Sequence, residues 1–352
     1  MGERVLKILV VGDSYVPVPI FKRGLEDLEA AHQFEYLQLD ESKTMAADTV
    51  SERSIREYLG TPEQIAQRIS AFEVLVVHGA PVTAEVLEAA PSLKLVCCAR
   101  GGPVNVDVGA ASAKGIPIVT TPGKNADAVA DQTIAFMIML ARGFPRAQRF
   151  LLEGGTIGES AFEGAQFFGH DLAGHVLGLV GCGNVGRRVC SRAVAFGMKV
   201  VVYDPFVRVD DLDGMQQVPE LADLLQVSDF VSLHLRAASQ AENLFGARAF
   251  AAMKPGSYFV NTARESFVDE AALDAALASG HLAGAALDVV RPQVQKGPHP
   301  LLRHDNVVIT PHIGGATQET LLRGATMVAD EIERFAAGDR LRYVINNFSV
   351  QA

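Results

Sequence analysis

The stretch VLGLVGCGNVGRRV, residues 176–189, constrains this chain more than any other. It places Gly181, Gly183 and Gly186 in G-x-G-x-x-G spacing directly after an apolar run. The first glycine permits a tight turn. The second lets a pyrophosphate approach the backbone. The third lets helix and strand pack closely, with the helix N-terminus facing the phosphates. Such spacing alone is a weak signal, because a glycine-rich turn can bind nothing. Here the context is supplied as well. The next apolar run, KVVVYD, ends in Asp204, 18 residues after Gly186. An acid at that point accepts hydrogen bonds from the adenosine ribose hydroxyls and repels a 2′-phosphate. Together they predict a dinucleotide site, with NAD preferred over NADP.

The same rhythm of strand and helix continues through FVSLHL, SYFVNTAR, a helix over 270–279, LAGAALDV and NVVITPH. Strands recurring with crossover helices make a doubly wound parallel sheet. Earlier in the chain, Lys7–Val11, Val74–Val77, Leu95–Cys98 and Ile118–Val119 read as strands of a second α/β region. At 352 residues the chain exceeds the usual size of one core, so two domains are expected. The fold class is therefore α/β.

Hydrophobic residues at 49% and charged residues at 20% fit an ordinary soluble globular chain. A net charge of −10 argues against nucleic acid and anionic membrane as partners. The apolar runs stop short of a membrane span, and MGERVLKILVVGDS reads as a first strand rather than a secretion signal. Cys97, Cys98, Cys182 and Cys190 are too few for a disulfide framework. Buried thiols in a reducing cytoplasm are expected.

NADAVADQTIAFMIMLARGF reads as one long helix, apolar on almost every face from Ile134 to Leu140. Two readings of it stand level: a central core helix, or a subunit interface. The glycine-rich stretch from Leu151 to His175 reads as a connecting arm. Ala316 to Ala337 reads as an amphipathic helix.

Ligands of an open α/β sheet sit at the carboxyl ends of its strands. Beyond Asp204 those ends carry His234, then Thr262, Ala263 and Arg264, then Asp288, then His312. Singly, each has a plain explanation: a core histidine, a solvated arginine, a helix-capping aspartate. Four such sites along one edge point to chemistry. Hydride transfer on a hydroxy acid needs a base for the hydroxyl proton and a cation for the carboxylate and carbonyl. His312 and Arg264 are the right residue types. Metal chemistry is not indicated, since the histidine pairs lack H-E-x-x-H or C-x-x-C company.

NVDVGAASAKGIPIVTTPGKNADAVADQTIAFMIMLAR, LGLVGCGNVG, VNTARESFVDEAAL, GHLAGAALDV and NVVITPHIGGAT occur in this order. Through them the chain, from about Leu93 to Asn347, resembles the NAD-dependent D-2-hydroxyacid dehydrogenases, the family that includes D-3-phosphoglycerate dehydrogenase. The resemblance implies a split chain. A Rossmann NAD-binding domain over 122–314 would be inserted in a smaller flavodoxin-like substrate domain made of 1–121 and 315–352, with the active site in the cleft. It implies a homodimer through the helix around Ile134–Leu140. It implies that Arg264 binds substrate and that His312 is the acid/base. Asp288 would hold the nicotinamide carboxamide, and His234 would lie near the nicotinamide ribose. The cofactor set is completed by Gly181, Gly183, Asn184, Val185, Gly186, Asp204, Thr262, Ala263 and Gly314, with Arg264 and His312 reaching the cofactor as well. The backbone of the loop with Arg100, Gly101 and Gly102 would hold the substrate carboxylate.

Two departures from the family pattern stand out. The glutamate that usually follows the aspartate of ALDV by five residues, and pairs with the catalytic histidine, is Gln293 here. Formate dehydrogenases, a branch of the same family, also carry glutamine at this place, preceded by proline as in RPQ. Glutamate stabilises an imidazolium, whereas glutamine only orients the ring. The second departure concerns substrate. Where the phosphoglycerate enzymes use a basic residue near VVHGAPVT, this chain has His78, and Arg100 replaces a residue that is often small. A polar hydroxy or oxo acid such as a sugar acid suits the extra arginine better than 3-phosphoglycerate. The alternatives are oxidation of a formate-like donor and NAD(H) sensing without turnover, as in the family's corepressor branch.

Overall fold

The computed structural model describes residues 4–42, 54–156, 158, 161–207, 215–235, 242–292 and 297–346. The chain forms two compact units. One comprises Met1–Lys124 and Thr317–Ala352, the other Asn125–Ala316.

The first unit runs β1 (Lys7–Gly12), α1 (Val18–Leu25), β2 (Gln33–Gln38), α2 (Pro62–Ala66), β3 (Val74–Val77), α3 (Ala84–Glu88), β4 (Leu95–Cys98), α4 (Val108–Ala113) and β5 (Ile118–Val119). Its five parallel strands lie in the order β2-β1-β3-β4-β5, the flavodoxin-like arrangement. β3 and β4 are buried at every position, as parallel strands covered on both faces require. Alternate residues enter different cores. Leu75, Val77, Val96 and Cys98 pack on one face, and Val74, Val76, Leu95 and Cys97 on the other. A reading by apolar runs passes over β2, because Gln33, Glu35 and Gln38 interrupt its half-buried edge strand.

The second unit begins with α5 (Ala126–Ala141) and α6 (Phe144–Leu152). It continues through β6 (Val176–Val180), α7 (Asn184–Ala195), β7 (Lys199–Tyr203), β8 (Met215–Gln217), α8 (Leu221–Val227) and β9 (Phe230–Leu233). It closes with α9 (Ala247–Ala252), β10 (Ser257–Asn261), α10 (Glu270–Ala278), β11 (Leu282–Leu287) and β12 (Val307–Ile309). Seven parallel strands lie in the order β12-β11-β10-β9-β6-β7-β8. Strand order reverses between β9 and β6, which is where a doubly wound sheet opens a crevice for ligands. This is a Rossmann sheet.

The last helix, α11 (Gln318–Ala337), returns to the first unit and packs on α1. Thr317 caps its start by accepting the Thr320 amide at 3.1 Å, and Gly338 ends it in a left-handed turn with φ 77°.

Along α5, Ile134, Phe136, Met137 and Leu140 are at most 5% exposed within this single chain. They pack in the core that α7 shares with the sheet. The core reading of this helix therefore accounts for them without a second copy. At Gly143 the backbone turns left-handed (φ 63°) and the chain restarts as α6, so Leu151 and Leu152, read as the start of an arm, belong to a helix. All nine residues of α6 are at least partly exposed, Leu152 by 80%. All four cysteines are buried with free thiols. Among the described residues, no helix is long and apolar enough to cross a membrane.

Candidate active site

The glycine loop joins β6 to α7 at the switch point. Gly181 has φ 97°, and a side chain there would begin 2.7 Å from the His234 carbonyl oxygen. A side chain at Gly186 would begin 2.3 Å from the Gly181 carbonyl. Both positions therefore require glycine. Over Gly183, by contrast, the space is open among the described residues. α7 starts here with Gly183 at its N-cap, which offers no side chain to the N–H groups of Asn184 and Val185 in the first turn, free among the described residues. Open space, bare amides and a helix N-terminus suit a pyrophosphate. The half-exposed Asp204 at the end of β7 lies against the same loop. Its Oδ2 accepts the Cys182 amide at 2.8 Å, and its Oδ1 accepts the amides of Phe206 and Val207 at 2.8 and 3.0 Å. The residues present fit an adenine dinucleotide.

Along the other side of the crevice, the ends of β10, β11 and β12 carry Arg264, Asp288 and His312 in spatial order. Neighbouring strands are about 4.8 Å apart, so Arg264 and His312 leave their strands roughly 10 Å apart, with Asp288 between. Arg264 is exposed. Asn261, buried at the end of β10, sets its loop by accepting the Ala263 amide at 3.0 Å and donating to the Arg264 carbonyl at 2.9 Å. Among the described residues the Arg264 guanidinium donates only to the Ala263 carbonyl, at 2.6 Å. The rest of its five N–H donors are available to a planar anion.

His312 is exposed and has φ 56°, a left-handed backbone that a non-glycine residue seldom takes. Asp288, which is 2% exposed, holds it there. The Asp288 carbonyl accepts the His312 amide at 2.9 Å. Asp288 Oδ1 accepts from Ile313 N at 2.9 Å, Thr310 Oγ1 at 2.5 Å and Gln132 Nε2 at 3.0 Å. Its Oδ2 accepts from Gly314 N at 2.8 Å. The carboxylate that the resemblance turns toward a carboxamide is thus engaged by four donors of its own chain.

His234 is buried beside the glycine loop and shares a hydrogen bond with Ser232 Oγ at 2.9 Å. Burial lowers its pKa to about 3, so the ring is neutral. Thr262 is buried and meets Thr133 of α5 at 3.1 Å, hydroxyl to hydroxyl.

In the first unit, His78 ends β3. Its Nδ1 lies 3.1 Å from Asp13 Oδ2, and its ring stacks on Tyr15 with centroids 5.1 Å apart. Burial lowers the His78 pKa, and the Asp13 contact offsets only part of that. Burial alone would raise the Asp13 carboxyl, but His78 and the Val16 and Gly79 amides pull it below the usual carboxylate range. Arg100 at the end of β4 donates to the Glu57 carbonyl at 2.8 Å and pairs with the Glu57 carboxylate. Gly101 and Gly102 follow it, exposed. Lys124 is 7% exposed, donates to the Ala99 carbonyl at 2.7 Å, and is brought by burial to about 8. Gln293 lies outside the described residues.

Asn261, Gln132, Thr310, Asp13 and Lys124 were not read from the sequence. Asn261 and Asp13 obey the strand-end rule and could have been. Gln132 carried a different signal: a polar residue inside a helix apolar on nearly every other side.

Residues 134–314 match the model for the D-isomer specific 2-hydroxyacid dehydrogenase, NAD binding domain. A D-3-phosphoglycerate dehydrogenase of Methanocaldococcus jannaschii is 36% identical over 289 residues, covering 81% of this chain and 54% of the relative, so this chain spans about half of that protein's length. A glyoxylate reductase of Korarchaeum cryptofilum is 35% identical over 329 residues, covering 92% of this chain and 93% of the relative. The crystal structure of a glyoxylate reductase from Paecilomyes thermophila superimposes with a TM-score of 0.74 at 28% identity, covering 97% of this chain and 98% of that one. A glycine loop that fits NAD, three polar strand ends beside it and these matches lead to one assignment: the chain belongs to the D-isomer-specific 2-hydroxyacid dehydrogenase family.

Proposed function

We propose that the chain interconverts a small 2-hydroxy acid and its 2-oxo acid with NAD(H), His312 serving as acid/base and Arg264 as the carboxylate and carbonyl binder. One observation carries this reading. Asp204, the glycine loop, Arg264 and the strained His312 turn follow one another along the carboxyl edge of a single sheet. The cofactor, when bound, gives or takes the hydride. Gly183, Asn184, Val185 and Gly186 offer backbone to its phosphates, and Asp204 to its adenosine ribose. Arg264 grips the substrate carboxylate with parallel N–H donors and draws charge onto the carbonyl oxygen. In reduction, protonated His312 delivers a proton to that oxygen. In oxidation, neutral His312 removes it.

In the first unit, Arg100 and the Gly101–Gly102 backbone are the proposed carboxylate contacts, with His78 beside them. A polar acid such as a sugar acid is the substrate class this set favours. Gln293 supports a second reading, oxidation of a formate-like donor, which releases no hydroxyl proton. We also propose a homodimer. The exposed Phe144, Leu151 and Leu152 of α6 support it, and a monomer mass by light scattering at micromolar concentration would count against it.

The test of the main reading is Arg264. Arg264→Ala should abolish turnover of the best acid found in a 2-oxo and 2-hydroxy acid screen, while NADH binding stays within about threefold. Arg264→Lys should also be poor, since an ammonium cannot reproduce the guanidinium fork. Near wild-type activity in either variant would remove Arg264 from the site.

A further inference from the structure

α5 carries Gln132 and Thr133 side by side, and each reaches a different strand-end loop. Gln132 Nε2 donates to Asp288 Oδ1 at 3.0 Å and to Thr310 Oγ1 at 2.9 Å. The Thr310 hydroxyl donates to the same Asp288 oxygen at 2.5 Å. Both partners therefore act as acceptors toward Gln132, which fixes the orientation of its amide. The Gln132 Oε1 is left buried, without a hydrogen-bond partner among the described residues. An orphaned acceptor is costly, and an apolar side chain would avoid it. A side chain at Gly314 would begin 2.8 Å from both Gln132 Oε1 and Asp288 Oδ2, so the His312 turn presses its bare backbone against this pair. Thr133 donates to the Val129 carbonyl at 2.8 Å and so accepts from Thr262, two residues before Arg264.

We infer that Gln132 is a positioning residue for proton transfer: its two N–H groups lock Asp288 and Thr310 in the arrangement that keeps His312 in its left-handed turn. The inference rests on the reading of His312 as the acid/base. A packing role alone would call for a leucine. Gln132 instead directs both donors into one network, to Asp288 and to Thr310.

Gln132→Glu tests this, because it keeps the shape and replaces the donor by a carboxylate facing Asp288. Two carboxylates so close hold a shared proton to unusually high pH, since like charges disfavour ionisation. That proton stands in for the lost N–H at low pH and is gone at high pH. We expect kcat of the variant within about threefold of wild type near pH 5 and at least about thirtyfold below it near pH 8. The cofactor-free protein gives an independent readout. A carboxyl whose folded pKa is raised contributes stability that is present below its unfolded value and is lost as pH rises through the folded one. The melting temperature of Gln132→Glu should therefore fall further below wild type as pH rises. Gln132→Leu should lower kcat at every pH while the NADH dissociation constant holds. A pH-independent melting difference in Gln132→Glu, or wild-type kcat in Gln132→Leu, would overturn the inference. His312→Ala is run in parallel. Activity surviving there refutes the acid/base reading alone, since the melting series still reports the brace. A dead His312→Ala beside normal Gln132 variants refutes the brace alone.

Discussion

The carboxylate of Asp204 accepts the amide of Cys182 at 2.8 Å, so the acid that ends β7 is tied to the glycine loop after β6. The contact sets the carboxylate beside the loop with its charge partly exposed. A ribose hydroxyl can donate to it, and a 2′-phosphate is repelled. Asp204→Ala should weaken NADH binding about tenfold or more, the worth of a hydrogen bond to a charged group. It should also narrow the gap to NADPH. Titration of both reduced cofactors by nicotinamide fluorescence measures this, and equal affinities in the wild type would refute the role given to Asp204.

Asp288 should matter to stability as much as to chemistry. Asp288→Ala strands the donors of Gln132, Thr310, Ile313 and Gly314, and unsatisfied buried groups cost about 1–3 kcal/mol each. Some will find water, so a net loss of about 3 kcal/mol is expected, a fall of roughly 6–12 °C in Tm for a unit of this size. Calorimetry of the cofactor-free protein checks this. An unchanged Tm would mean that the carboxylate serves ligand rather than loop.

His234 predicts an acid limb in the stability curve. The folded state holds this histidine at about 3, well below the ordinary value, because burial penalises its charged form. The unfolded chain takes up a proton near pH 6.5 while the folded chain does not. Stability is therefore full above that pH and falls as pH drops from about 6.5 toward 3. His234→Asn removes the titration, so its urea midpoint should depend less on pH over that window. Parallel curves for the two proteins would show that His234 is not what the acid limb reports.

Much of this site was legible because strand ends are sequence-local. Arg264, Asp288 and His312 each follow an apolar run directly, and the parallel sheet brings those run ends to one edge. What the chain order conceals is the second layer. Gln132 and Asp288 are 156 positions apart, and only the packing of α5 against β10, β11 and β12 brings them together. β2 escaped for a different reason: an edge strand needs no continuous apolar run. The same limit applied to α5. Periodicity showed that the helix is apolar on several sides from Ile134 to Leu140, but not what covers it. α7 and the sheet of the same chain cover Ile134, Phe136, Met137 and Leu140, while Ala135, Ile138 and Met139 stay at least partly exposed, as do Phe144, Leu151 and Leu152 of α6.

The central claim is that His312 exchanges the substrate's proton, and the pH dependence of kcat/KM for 2-oxo acid reduction tests it most directly. The profile is recorded for wild type, His312→Ala and Gln293→Glu on the best substrate. On this account reduction draws its proton from His312, so the wild-type rate should fall toward the alkaline end of the profile. A glutamate partner favours the imidazolium where glutamine does not, so Gln293→Glu should move that fall to higher pH. A shift of one pH unit would correspond to about 1.4 kcal/mol of charge pairing. His312→Ala should lose the limb together with nearly all activity. Wild-type rates in His312→Ala would contradict the account and leave His312 as a residue that only ends a strand.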